Sequence, residues 1–228
     1  MKPVYQEPSK PHLIAALVTP FTPSGDLDRP SLQRLVRNLQ ENGVHEYFAV
    51  GSSGESPLLD KPERLAIIET VRAAAPDGII YAGISGMGHR HAIRNAQDAA
   101  QAGANFAVVM SPFFLRLDQA QMISFCSTIA DRCPLPVVLY HHLRMPTLMD
   151  VATVAQLAAH PNIVGLKDTN GGDHDRCAEI LAATEGRDFK FFQGVEKLVW
   201  STLRAGGHGC VVAQACIAPR LFRSLLTA

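Results

Sequence analysis

The chain has 228 residues, 21 Lys and Arg against 21 Asp and Glu, and 47% hydrophobic residues. A neutral, moderately apolar chain of this size is a folded globular protein, and it offers no basic stripe for a nucleic-acid backbone. No run reaches the roughly 20 apolar residues of a membrane span, and the polar opening at 1–11 lacks the apolar core of a signal peptide, so a cytoplasmic protein is expected.

In chain order, an apolar run at 13–18 reads as the first strand. A helical pattern at 31–42 follows, with Leu32, Leu35, Val36 and Leu39 on one face and Asn42-Gly43 as its stop. The run at 47–50 precedes a helix at 61–75 with Leu65, Ile68 and Val71 at helical spacing. A strand at 79–83 leads to an Ala-rich helix at 89–102 that stops at Gly103. A strand at 106–110 leads to a helix that Asp118 caps and that ends near Arg132. Strands at 137–140, 163–166, 189–193 and 210–212 are then separated by helices at 150–159, 173–183 and 196–205. Each strand is brief and apolar throughout, as strands buried on both faces of a parallel sheet are. Parallel neighbours need crossover helices, so this alternation predicts an α/β fold.

Eight such units predict a closed (β/α)8 TIM barrel. An open doubly wound sheet is the competitor, but the first strand is followed by Thr19-Pro20-Phe21-Thr22-Pro23 and not by a phosphate loop. No linker divides the chain, so one domain is expected: an N-terminal arm at 1–12 and the barrel at 13–228. The length falls slightly below the about 250 residues of a typical barrel. The five cysteines, Cys126, Cys133, Cys177, Cys210 and Cys216, include no C-x-x-C pair and read as reduced, buried thiols. The histidines show no metal-ligand spacing, so no metal is expected, and no organic cofactor.

A barrel places its chemistry at the C-terminal ends of the strands. Of the six lysines, only Lys167 ends an apolar strand, Ile163-Val164-Gly165-Leu166-Lys167. Alternation groups Lys167 with Gly165 and Ile163 on one face, pointing into the barrel mouth. Burial there lowers the amine's pKa and makes it a Schiff-base nucleophile. The plainer alternative is a lysine paired with Asp168 or Glu55. Tyr140 ends the preceding strand, where its phenol can move protons beside Lys167, or simply pack. Gly51-Ser52-Ser53-Gly54-Glu55 follows the second strand and suits a small carboxylate, unless it is an ordinary turn. His141-His142 follow Tyr140, where a polar substrate contact fits. Arg144, in the next loop, is either a carboxylate clamp or a solvated side chain.

Taken together and in order, these residues resemble the dihydrodipicolinate synthase / N-acetylneuraminate lyase family of pyruvate-dependent class I aldolases. The likeness rests on Ala16-Leu17-Val18-Thr19-Pro20-Phe21 with Gly25-Asp26-Leu27-Asp28, on the serine loop at 51–55, on Val138-Leu139-Tyr140, and on Asn162-Ile163-Val164-Gly165-Leu166-Lys167-Asp168. Ala205-Gly206-Gly207-His208-Gly209 extends it, so that it runs from about Leu13 to the end. The resemblance implies that Lys167 forms an imine with pyruvate or another 2-keto acid and that Tyr140 moves the protons. It implies that Ser52 links Tyr140 to a hydroxyl relay and that Ser53, with Gly51, Gly54 and Val211, lines the keto-acid site, with Arg144 nearby. It further implies a Schiff-base aldolase, lyase or synthase acting on a keto acid and an aldehyde, in a homodimer or homotetramer. A 2-keto-acid dehydratase or hydratase using the same imine is the alternative, as is a keto-acid-binding member without turnover.

The chain departs from the family at two points. Ser111-Pro112-Phe113-Phe114 has no hydroxyl where the family's relay often ends in tyrosine, and Tyr140-His141-His142-Leu143 replaces the usual Asn-x-Pro after the tyrosine. Family members normally continue beyond the helix that begins at Pro219, so a missing C-terminal helical extension is expected, with loss of stability or assembly.

Overall fold

The computed structural model describes residues 11–226. The strands are β1 His12–Ala16, β2 Glu46–Ala49, β3 Ile79–Gly83, β4 Phe106–Met110, β5 Val137–His142, β6 Ile163–Thr169, β7 Lys190–Gln193 and β8 Gly209–Val212. The helices are α1 Arg29–Glu41, α2 Lys61–Ala74, α3 His89–Gln101, α4 Gln119–Arg132, α5 Val151–Leu157, α6 His174–Ala183, α7 Val199–Arg204 and α8 Pro219–Leu225. All strands pair in parallel and in sequence order, and β8 returns to β1, closing the barrel. The expected arm at 1–12 falls almost wholly outside the described residues.

Local chemistry explains the helix starts. Asp60 accepts from the Glu63 backbone N–H while Glu63 reaches back to the Asp60 N–H, and Asp118 and Gln121 do the same for α4. Asp28, Asp150 and Asp173 cap α1, α5 and α6. The helix expected at 196–205 is split: a 3-10 turn at Glu196–Leu198 precedes α7.

Strand alternation produces two apolar cores. Outward residues such as Leu13, Tyr47, Ile80, Val109, Leu139 and Leu166 pack under the helices. Inward residues such as Ile14, Phe48, Tyr81, Val108, Val138, Phe192 and Val211 fill the barrel. At its N-terminal end the barrel is plugged by polar and aromatic groups. His12 Nδ1 lies 3.0 Å from Glu46, Tyr81 donates to Glu46 at 3.2 Å, and the Tyr81 ring stacks on Phe106.

The structure corrects two further expectations. β6 contains a bulge: Val137 pairs with Ile163, but Val138 pairs with Gly165. The extra residue, Val164, shifts the alternation by one. Ile163 therefore packs under the helices, not on the face of Lys167, while Val164 packs against the barrel interior. Gly165 lets β6 and β7 approach closely. A Cβ there would lie 2.6 Å from the Lys190 carbonyl oxygen. The second correction concerns length. β5 and β6 continue beyond Tyr140 and Leu166, because their polar last residues keep pairing across the barrel mouth.

Candidate active site

Tyr140 and Lys167 are register partners on β5 and β6 and both face inward. The Lys167 Nζ lies 4.1 Å from the Tyr140 ring centroid and 4.9 Å from that of Phe48. The side chain is almost fully buried, and below it lies an apolar pocket lined by Ile14, Phe48, Tyr81, Val108, Val138, Phe192 and Val211. Burial in this lining holds the amine below the ordinary lysine pKa, with Tyr140 and Glu196 opposing. Val211 thus sits in the wall beneath the amine.

Neither acidic partner considered for Lys167 pairs with it. Asp168 points to the opposite face of β6, where its Oδ2 accepts from Arg176 Nε at 3.1 Å, and Glu55 is exposed on its loop. Among the described residues no salt bridge joins Lys167 to a carboxylate.

The serine loop is held by its surroundings. The positive φ values fall on Val50 (56°) and Glu55 (59°), not on Gly51 or Gly54. A β-branched residue in that region costs about 1–3 kcal/mol, so the surroundings must enforce it. Gly51 and Gly54 are glycines for space: a Cβ at Gly51 would sit 2.7 Å from the Phe48 ring, and one at Gly54 would sit 3.0 Å from the Leu17 oxygen. Gly83 gives the same clearance to the Val50 carbonyl, and Thr19 donates to the Gly54 oxygen at 2.7 Å. The loop so fixed brings Ser52 Oγ within 3.0 Å of Tyr140 OH. Ser53 lies half-buried beside it.

The other predicted residues separate. Arg144 is exposed on the loop after β5; its contribution to the site is a backbone N–H that donates to His142 Nδ1 at 3.0 Å. Phe113 packs against the barrel interior, whereas Phe114 is 77% exposed. The hydroxyl chain from Tyr140 therefore ends at Ser52, which is itself exposed. Sequence reasoning gave no role to Thr169 or Glu196, and named His142 only as a polar contact. The available signal for His142 and Thr169 was two-residue spacing carried on past Tyr140 and Lys167; Glu196, on the 3-10 turn after β7, offered none.

The Dihydrodipicolinate synthetase family model matches residues 10–228. The chain is 36% identical over 211 residues to the 4-hydroxy-tetrahydrodipicolinate synthase of Rhizobium meliloti, covering 91% of this chain and 71% of the relative. It is 32% identical to that of Haloarcula marismortui, covering 90% and 67%. Among solved structures it superposes with TM-score 0.91 on the Acinetobacter baumannii dihydrodipicolinate synthase complexed with pyruvate, at 29% identity over 96% of this chain and 75% of that one. YagE, an E. coli K12 prophage protein of the dihydrodipicolinic acid synthase family in complex with pyruvate, gives 0.91 at 30% identity, covering 96% and 74%. A model match from 10 to 228 is no local likeness: the chain belongs to the dihydrodipicolinate synthetase family.

Proposed function

We propose that the protein is a lysine Schiff-base enzyme that joins pyruvate, or a closely related 2-keto acid, to an aldehyde or cleaves such an adduct. The observation behind this reading is the buried Lys167 amine in register with Tyr140, whose hydroxyl meets Ser52. The neutral amine attacks the keto carbon, and the resulting carbinolamine takes a proton from Tyr140 and loses water to form a protonated imine. That imine accepts the electron pair left when the Tyr140 phenolate takes a methyl proton, giving an enamine. The enamine carbon adds to the aldehyde carbon, whose oxygen takes a proton from Tyr140, and water then releases the product. Ser52, exposed and hydrogen-bonded to Tyr140, returns the proton from solvent. Ser53, with Gly51 and Gly54, is assigned to the keto-acid carboxylate, and Val211 to the wall behind the methyl group. Arg144 has no part in the first half-reaction.

The relatives solved with pyruvate support the keto-acid assignment. Exposed Phe114 and Leu115 beside the mouth support assembly into a dimer or tetramer, and five free cysteines fit the reducing cytoplasm. Borohydride reduction in the presence of pyruvate, followed by intact mass, tests the reading. A pyruvyl adduct that Lys167→Ala abolishes is expected; no adduct on the wild-type protein refutes it.

A further inference from the structure

Directly behind the Tyr140–Lys167 pair lies another. β5 and β6 keep their register, so His141 stands beside Asp168, and both point outward under α6. Arg176 of α6 bridges them: its Nε donates to Asp168 Oδ2 at 3.1 Å and its Nη2 to His141 Nδ1 at 3.0 Å. Both strand residues are buried. Burial, then Arg176 and His142, keep the imidazole neutral, so Nδ1 remains an acceptor. Stability alone does not account for this cluster, since a well-packed apolar group of similar volume is often as stable. Asp168 Oδ1 and Thr169 Oγ1 are, among the described residues, the buried side-chain polar atoms without a hydrogen-bond partner, and both follow Lys167 directly. Such unmet polar groups in a native core call for a reason. The strand ends supply one. The bulge at Val164 interrupts the β5–β6 ladder three residues before Lys167, so the register beyond it needs a second fastening. Among the described residues no carboxylate pairs with the Lys167 amine to aim it. On the β7 side the lysine stem is gripped: the Gly194 N–H donates to the Asp168 oxygen at 2.8 Å, and a Cβ at Gly194 would lie 3.2 Å from Lys167 Cε. On the β5 side the tie is the guanidinium.

We propose that Arg176 and His141 are positioning residues: with Asp168 they lock β5 to β6 so that the Tyr140 hydroxyl and the Lys167 amine stay within reach of the same carbinolamine. The proposal rests on the Schiff-base reading of Lys167. Neighbours along a strand face opposite ways, so fixing the outward side chains at 141 and 168 fixes the roll of the inward ones at 140 and 167. A reactive pair held this way depends on the residues that support it.

The test uses the full chain and two readouts: kcat and KM for exchange of pyruvate methyl protons in heavy water, and imine trapped by borohydride at saturating pyruvate. His141→Leu removes the acceptor and leaves the Arg176–Asp168 contact. Its kcat is expected to fall about 10- to 100-fold, the scale of an ångström's misplacement, with KM within about twofold of wild type. His141→Asn, whose side-chain oxygen can accept near the Nδ1 position, is expected to restore most of the rate. Arg176→Lys keeps a charge beside Asp168 but cannot span both partners, and is expected to lose kcat as His141→Leu does. It decides the matter independently of whether the Leu variant folds. A folded Leu variant with the wild-type kcat overturns the proposal, as does an Asn variant as slow as the Leu variant. So does a loss carried by KM, or Arg176→Lys at the wild-type rate. Wild type that traps no imine and exchanges no protons overturns the Schiff-base reading, and this inference with it.

Discussion

Burying an amine costs folding free energy, and Lys167 is 4% exposed with no carboxylate partner among the described residues. Its pKa is lowered by burial, so between the folded and unfolded values the unfolded chain binds more protons and stability rises with pH. Lys167→Met is therefore expected to raise Tm at pH 7 while abolishing imine formation, at about 2–4 °C per kcal/mol for a domain of this size. The gain should shrink as the pH approaches that of an ordinary lysine; thermal melts of both proteins from pH 7 to 10 check this. Tyr140→Phe should slow pyruvate proton exchange by about 10²–10⁴-fold, the usual contribution of a positioned acid–base group. Ser52→Ala removes one hydrogen bond from that phenol and should cost about tenfold, read in the same exchange assay. Lys167 and Tyr140 were legible in the sequence because each ends an apolar strand, and Ser52 because flanking glycines mark its loop. His142 and Thr169 were less so, since a polar residue after a strand looks like the start of a loop.

At the scale of elements, a buried polar cluster behind the site ties β5 and β6 to α6. Arg176 donates from Nε to Asp168 and from Nη2 to His141 Nδ1 at 3.0 Å. Burial raises the Asp168 carboxyl to about 6, with Arg176 pulling down, and pushes His141 down to about 4, so the ring stays neutral and accepts. Arg176→Met leaves a buried carboxylate uncompensated and should destabilise the fold by about 3–5 kcal/mol at pH 8. Without the guanidinium the Asp168 pKa rises further. Below pH 6 the carboxyl is protonated in both proteins, so the deficit should be smaller at pH 5; urea denaturation at the two pH values measures it. This cluster was invisible in the sequence: Asp168 looked like a partner for its neighbour Lys167, and only strand alternation separates them. The helices were legible because Asp caps and apolar spacing are local, whereas the ends of β5 and β6 depend on pairing between distant segments.

For the whole molecule, closure was inferred from counting eight strand–helix units, and the β1–β8 seam realises it. Gly209 sits there at φ 156°, where a Cβ would lie 2.3 Å from the His12 carbonyl oxygen. No flexible side chain can yield at that contact, because the obstacle is backbone. Gly209→Ala should cost about 3 kcal/mol or more, seen as a lower denaturant midpoint. The chain spans 67–71% of the length of the two relatives described above. The whole circuit of the barrel, with Lys167, Tyr140 and Ser52, lies within that span.

The bulge at Val164 has a consequence for how the site is encoded. Counted from Ile163, which faces the helices, Lys167 occupies an even-numbered step and would face the helices too. The bulge takes Val164 out of the alternation, which leaves three steps, an odd count, and turns the amine inward. The facing of Lys167 is thus set by parity as much as by composition. The same sequence run as a strand without the bulge would trade the places of Lys167 and Asp168, setting a carboxylate in the mouth and an amine against Arg176, with no residue of the sequence changed.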